Sequence, residues 1–336
     1  LQFIPAQLKV LEIWQEKAVF ERDGEEMILA ANRPVAGNNL RLPPAVVQGQ
    51  AVKVISRGPG FQVSNDGVAL NPQKDLLPVM GLDDQALTNH FFLDFLSEKC
   101  HCLPEAILSY DLTVYPCETG CSLGWHDEFI SSPRLDNLTS VLACLMGLVK
   151  EDRADGLNMT ALFDNEEVGS GTKQGAKSSF LRDVLERICN NSETYKRAVA
   201  KSFMLSCDNA HAVHPNFADK SDGTNRVYMK GGIVIKYNAN QRYTTDAVSE
   251  AVVKYVCKNA GVPYQMYANR SDIPGGSTLG NLSNEKVSLN TADIGLAQLA
   301  MHSSYETAGS RDTEYMVKMI KEFYKTEIVL LMLYSA

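Results

Sequence analysis

The chain lacks any apolar stretch long enough to cross a bilayer. A spanning helix needs about 20 such residues, and runs such as "IVLLML" at 328–333 stop far short. No long Lys/Arg block is present and the net charge is −8. A nucleic-acid partner is therefore not expected, because phosphate backbones call for concentrated positive charge. Cys-x-x-Cys knuckles are missing as well. Cys100, Cys102, Cys117 and Cys121 have Cys-x-Cys and Cys-x-x-x-Cys spacings, which miss the usual structural zinc pattern. Others of the eight cysteines sit in apolar runs, as reduced core thiols do. With no secretory leader visible, a reducing, cytoplasmic setting is the expectation. Histidine is scarce: there are six, none before His90.

What is present suits a globular protein with a sizeable core: 45% hydrophobic and 21% charged residues in a chain of 336. That length predicts two domains, or one large domain with an insertion. Residues 1–105 are rich in Pro, Gly, Gln and Val. Alternating stretches such as "QAVKVIS" (50–56) and turn signals at 58–60 and 64–67 predict strands there. An amphipathic helix is expected at 83–100. From about 106 the pattern becomes α/β. Strands are expected at 108–116, 158–164, 200–208, 231–238 and 287–295. Helices are expected at 137–151, 177–190, 245–261 and 312–327. Such alternation argues for a central sheet sandwiched by helices.

In open α/β sheets, ligands collect beyond the strand ends. Glu166 and Glu167 follow the predicted strand at 158–164, Asp208 ends the one at 200–208, and His302 comes shortly after the one at 287–295. Asp136 in "SPRLDN" opens a helix. Adjacent carboxylates at a buried strand end repel and are costly unless a positive charge compensates them. Oxygen and imidazole donors converging there would suit Zn²⁺, Mn²⁺ or Co²⁺. Each residue also has a plainer reading. Asp136 can be a helix cap, His302 a hydrogen-bonded core histidine, Asp208 a turn residue, and the glutamates an exposed pair favoured by a helix dipole.

The combination is more specific than its parts. "SPRLDN" (132–137), "FDNEEVGSGTKQGA" (163–176), "CDNAHAVHPN" (207–216), "NQRYTTDAVSEA" (240–251), "PGGSTLG" (274–280) and "DIGLAQLAMHS" (293–303) resemble, in order, the M18 metallo-aminopeptidases. The likeness is close from about 108 to 327 and looser over 1–105, which resembles part of that family's inserted dimerisation domain. It implies a mixed central sheet between helix layers, of the zinc-peptidase (phosphorylase/hydrolase-like) type. Residues 106–336 would then be the catalytic domain, and 1–105 part of a β-rich insert for dimerisation. It implies two divalent metal ions, zinc foremost with Mn or Co as alternatives. Asp136 matches the bridging carboxylate, Glu167 and His302 the other ligands of one ion, Asp208 a ligand of the second, and Glu166 the general base. His211, Lys236 and Tyr243 match substrate-contacting positions. Lys236 is the natural partner of an acidic side chain at the substrate's amino terminus, against the plainer reading of a surface lysine. Peptide substrates are implied, and a homo-oligomer in which dimers build a dodecamer.

One departure stands out. The family carries an early His-x-Asp motif, whose histidine completes the second metal site, and no histidine here precedes His90. The expectation is an upstream segment outside this sequence, which opens on Leu1. The rival is a truncated, catalytically degenerate metal-binding homologue. A carboxypeptidase or N-deacylase of the same clan is a further alternative.

Overall fold

The computed structural model describes residues 9–14, 17–22, 25–30, 71, 73, 90–148, 156–273 and 275–328. The chain divides into two units, residues 1–119 and 120–336. In the first, strands β1 (Lys9–Trp14), β2 (Lys17–Arg22) and β3 (Glu25–Ala30) form an antiparallel sheet in that order. Helix α1 (Phe91–Cys100) follows and ends on His101, which takes the left-handed conformation of a helix C-cap. The strand and turns expected at 50–67 lie outside the described residues.

The second unit is built around a mixed sheet. Its strands are β4 (Cys121–Leu123), β5 (Phe129–Ser132), β6 (Phe203–Cys207), β7 (Ala210–His211), β8 (Ile233–Tyr237), β9 (Tyr264–Ala268), β10 (Asn290–Leu299) and β11 (Glu306–Gly309). The order is β4-β5-β11-β10-β8-β9, with β6 and β7 also paired to β10. β6 and β7 run parallel to β10, while β8 and β11 run antiparallel to it. Every residue of β10 from Thr291 to Gln298 is buried, the mark of a strand covered on both faces.

Helices α2 (Leu135–Leu148), α5 (Ala247–Ala260), α6 (Leu279–Asn284) and α7 (Asp312–Lys325) pack on the sheet, and α3 (Phe180–Cys189) packs against α4 (Ser192–Lys201). α7 packs against α2 and α5, placing Met316, Met319 and Ile320 among Ala143, Val253 and Val256 and against Ile294 and Leu296 of β10. α5 begins with a capping box between Asp246 and Ser249 and closes on left-handed Gly261. No described helix is long and apolar enough to cross a membrane.

The expected α/β architecture is the observed one, with two local differences. Residues 108–116 and 158–164 carry no strand ladder among the described residues. An apolar run becomes a strand only where a neighbour offers backbone donors and acceptors in register. Residues 158–160 are tied down by side chains instead. Asn158 Nδ2 donates to the Tyr324 carbonyl, the Thr160 hydroxyl bonds the Tyr324 hydroxyl at 2.6 Å, and that phenol bonds the Met159 carbonyl.

Candidate metal centre

Three segments distant in sequence bring Asp136, Glu167 and His302 together. β5 delivers the chain through left-handed Arg134 to Asp136, whose non-helical backbone (φ −83°, ψ 112°) interrupts the first turn of α2. Glu167 sits in a loop closed on itself: Asp164 N–H donates to the Gln174 carbonyl, Ser170 N–H to that of Asn165, and Lys177 N–H to that of Ser170. A side chain at Gly175 would lie 2.3 Å from the Ser170 carbonyl oxygen, so this closure requires glycine there. His302 lies in the β10–β11 turn with φ 67°.

His302 Nε2 is 3.4 Å from Asp136 Oδ2 and 3.6 Å from Glu167 Oε2. One ligand atom from each residue lies within 4.8 Å of the others, the only such group of three among the described residues. Asp136 is 1% exposed, whereas the His302 side chain is 54% exposed, so the group is anchored inside and open on one side. Two carboxylates and an imidazole form a donor set of the kind that holds Zn²⁺ with a position left open. The convergence of these three donor atoms, with Asp136 buried, fits a divalent cation.

Asp208 is close by but differently partnered. Its backbone N–H donates to the Ile294 carbonyl at 2.8 Å. This contact exists because Gly295 has no side chain; a Cβ there would lie 1.9 Å from the Asp208 carbonyl oxygen. Asp208 Oδ1 accepts from Asn137 Nδ2 at 2.5 Å and Oδ2 from Lys236 Nζ at 3.1 Å. Lys236 is therefore no surface lysine: its side chain is 4% exposed, and its ammonium lies 5.5 Å from the centre of the Tyr243 ring. Tyr243 donates its hydroxyl to Asn269 Oδ1, and burial pushes its phenol up to about 12. His211 lies with its ring 6.5 Å from that of His302 and nearly perpendicular to it. Burial first, then the charges of His302 and Lys236, hold its imidazole below the ordinary value and favour the neutral form. Glu166 is half-buried in the same closed loop, and its carbonyl accepts from Gly169 N–H at 2.9 Å.

Sequence reasoning missed three supporting residues. Asn209 N–H donates to Asn137 Oδ1 at 2.8 Å, and Asn209 Nδ2 bonds the Leu135 carbonyl, Thr139 Oγ1 and Gln298 Oε1. The repeated Asp-Asn pairs, 136–137 and 208–209, are the signal that could have found this network. The third, Glu306, accepts the main-chain N–H groups of Asp136 and His302. Its signal is a lone carboxylate after Asp293 in "DIGLAQLAMHSSYE".

A family model described as aminopeptidase I zinc metalloprotease (M18) matches residues 61–324. A second model, for a chaperone of flagellar basal-body P-ring formation, matches residues 18–74 and includes no residue of the centre. A probable M18 family aminopeptidase 2 from Clostridium acetobutylicum is 44% identical over 265 residues, covering 77% of this chain. This chain spans 61% of that relative's length. Among solved structures, that of the Ape4 and Nbr1 complex is 31% identical with a TM-score of 0.72, covering 91% of this chain and 61% of that one. The S. cerevisiae mApe1 dodecamer is 26% identical with a TM-score of 0.65, covering 77% and 61%. With the family model spanning most of its length and all three residues of the centre, the chain belongs to the M18 aminopeptidase family.

Proposed function

We propose that this chain is the metal-binding, catalytic part of an aminopeptidase that removes amino-terminal residues from peptides, with Asp or Glu preferred. The observation that carries this reading is the meeting of Asp136, Glu167 and His302 beside Glu166. Asp136, Glu167 and His302 would hold one ion. Asp208, with Asp136 shared, would serve a second. Zinc is the first candidate, with Mn²⁺ and Co²⁺ as alternatives. When bound, such ions polarise the scissile carbonyl and acidify the attacking water. Glu166 takes the proton of that water and passes it to the leaving amine. The carboxylates around it suit a substrate's α-ammonium group. Lys236, buried at the end of β8 and against Tyr243, supplies the positive charge that an acidic side chain needs.

A carboxypeptidase or deacylase would need a basic group to receive an α-carboxylate, whereas the adjacent Asp and Glu residues suit the α-amine of an aminopeptidase substrate. A purely metal-binding homologue has no use for Glu166 beside Glu167. We place residues 1–105 in a β-rich assembly domain and the protein in the cytoplasm. Homo-oligomerisation, from dimers to a dodecamer, is supported by the mApe1 neighbour.

The test is metal content per chain together with turnover of Asp- and Glu-arylamides, in wild type and Glu166→Gln. Two ions per chain in both proteins, and activity about 10²–10⁴-fold lower in the variant, are expected. Absence of turnover with Zn²⁺, Mn²⁺ or Co²⁺ supplied would leave the metal-binding homologue standing.

A further inference from the structure

Glu306 opens β11 opposite Ser132, the last residue of β5. The residue is 1% exposed. Its two oxygens serve two different places. Oε2 accepts the main-chain N–H of Asp136, and Oε1 accepts that of His302, both at 2.9 Å. Neither amide has a place in a regular ladder. Asp136 lies in the first turn of a helix, where N–H groups find no intrahelical partner. His302 lies in a turn with left-handed backbone.

We infer that Glu306 is the positioning residue of the metal centre: one buried carboxylate clamps the two main chains that carry Asp136 and His302, and so sets their separation. The inference rests on the metal-centre reading above. The chemistry requires a carboxylate of this length. Two N–H groups converge from two sides, and only a carboxylate offers an acceptor to each. A glutamine would turn its own N–H₂ toward one of them. An aspartate keeps both acceptors but reaches one methylene less far. The third residue of the group, Glu167, comes from a loop closed by its own hydrogen bonds, and the clamp joins the other two members.

The test is made on the intact protein, stripped of metal and titrated with Zn²⁺ against a chromophoric chelator. Co²⁺ absorption serves as a reading of geometry, and metal-free melting as a reading of fold. Glu306→Gln is expected to weaken Zn²⁺ about 10–100-fold, as loss of an outer partner of a metal ligand does, and to shift the Co²⁺ bands. A merely structural carboxylate would lower the melting temperature while leaving both metal readings of the folded protein at wild-type values; that result overturns the proposal. Glu306→Asp should also bind Zn²⁺ less tightly. It decides the matter if the glutamine variant does not fold, since wild-type affinity in folded Glu306→Asp overturns the proposal equally. If wild type takes up no Zn²⁺, or binds it as tightly with His302→Ala, the metal-centre reading itself fails, an outcome distinct from any in which only the Glu306 variants behave as wild type.

Discussion

Asp136 and Asp208 are buried or nearly buried aspartates in one neighbourhood, yet their carboxylates are engaged in different ways. Asp208 has its counter-ion inside the protein: Lys236 on one oxygen and the Asn137 amide on the other. Asp136 faces Glu167 across a single imidazole. In the first, both carboxylate oxygens are engaged by side chains of the protein itself. In the second, one atom each of Asp136, Glu167 and His302 converges within 4.8 Å, the spacing of a metal site. A metal centre is therefore distinguished less by its number of carboxylates than by the convergence of its donor atoms.

The largest effects should come from breaking that asymmetry. Asp136→Asn removes a ligand and one of the two carboxylate charges that face His302. Activity is expected to fall by about 10³-fold or more, since metal chemistry supplies several kcal/mol at about 1.4 kcal/mol per decade. Metal-free melting should hold steady or rise, because a repulsion is gone. Arylamide turnover and calorimetry of the stripped protein check both halves. A fall in metal-free stability comparable to that of the next variant would erase the contrast.

Lys236→Met does the reverse. It leaves Asp208 buried without its cation, which costs about 3–5 kcal/mol when one partner of a buried pair is removed. Melting should drop whether or not metal is present during the scan, apart from any ion that Asp208 then recruits. Lys236→Met combined with Asp208→Leu should recover most of the loss, because a buried pair replaced by apolar groups is often neutral. A double variant as unstable as the sum of the two single ones would mean that the pair is not a closed unit.

Asp312 shows a third way to house a carboxylate. It is fully buried, and its oxygens accept the Lys230 and Gly232 N–H groups at 2.6 and 3.2 Å. Burial outweighs these bonds and pushes its carboxyl up to about 6. The folded protein then holds a proton that the unfolded chain has already lost above about 4. This group's contribution is fully present below pH 4 and is lost as pH rises through about 6, with a slope of at most about 1.4 kcal/mol per unit. Unfolding in urea between pH 4 and 7 should show that slope in wild type and lose it in Asp312→Asn. An identical pH profile in the variant would assign the slope to other groups.

The meeting of Asp136, Glu167 and His302 was legible from the fixed order of the motifs that carry them, although the strand expected ahead of Glu167 at 158–164 is absent among the described residues. The sheet's main strands and the helices carrying α2, α3, α5 and α7 were legible because their apolar periodicity is long. Partnership was not legible. Nothing in "VIKYN" says that Lys236 turns inward onto Asp208, since that depends on β8 lying beside β10 and on Gly295 admitting the Asp208 backbone. Glu306 was hidden for a related reason. It acts on backbone amides, and the sequence pattern records side chains. α4 escaped because its residues are mostly polar and it starts from the Asn191 cap rather than from an apolar stripe.

The smallest effect tests whether burial, rather than ion pairing as such, sets the importance of Lys236. Glu250 and Lys254 are one turn apart on α5 and their charged atoms are 2.5 Å apart, closer than those of the Lys236–Asp208 pair. Yet the Lys254 side chain is 37% exposed against 4% for Lys236. Water screens the exposed pair in both folded and unfolded chains, and ordering two long side chains offsets much of the attraction. Glu250→Gln is therefore expected to change stability by no more than about 0.5 kcal/mol, and that difference should shrink in 1 M salt. Equilibrium unfolding in urea at low and high salt gives the value. A loss approaching that of Lys236→Met would show that distance, and not desolvation, governs the two pairs. The contrast between the buried Lys236–Asp208 pair and the exposed Glu250–Lys254 pair would then lose its physical basis.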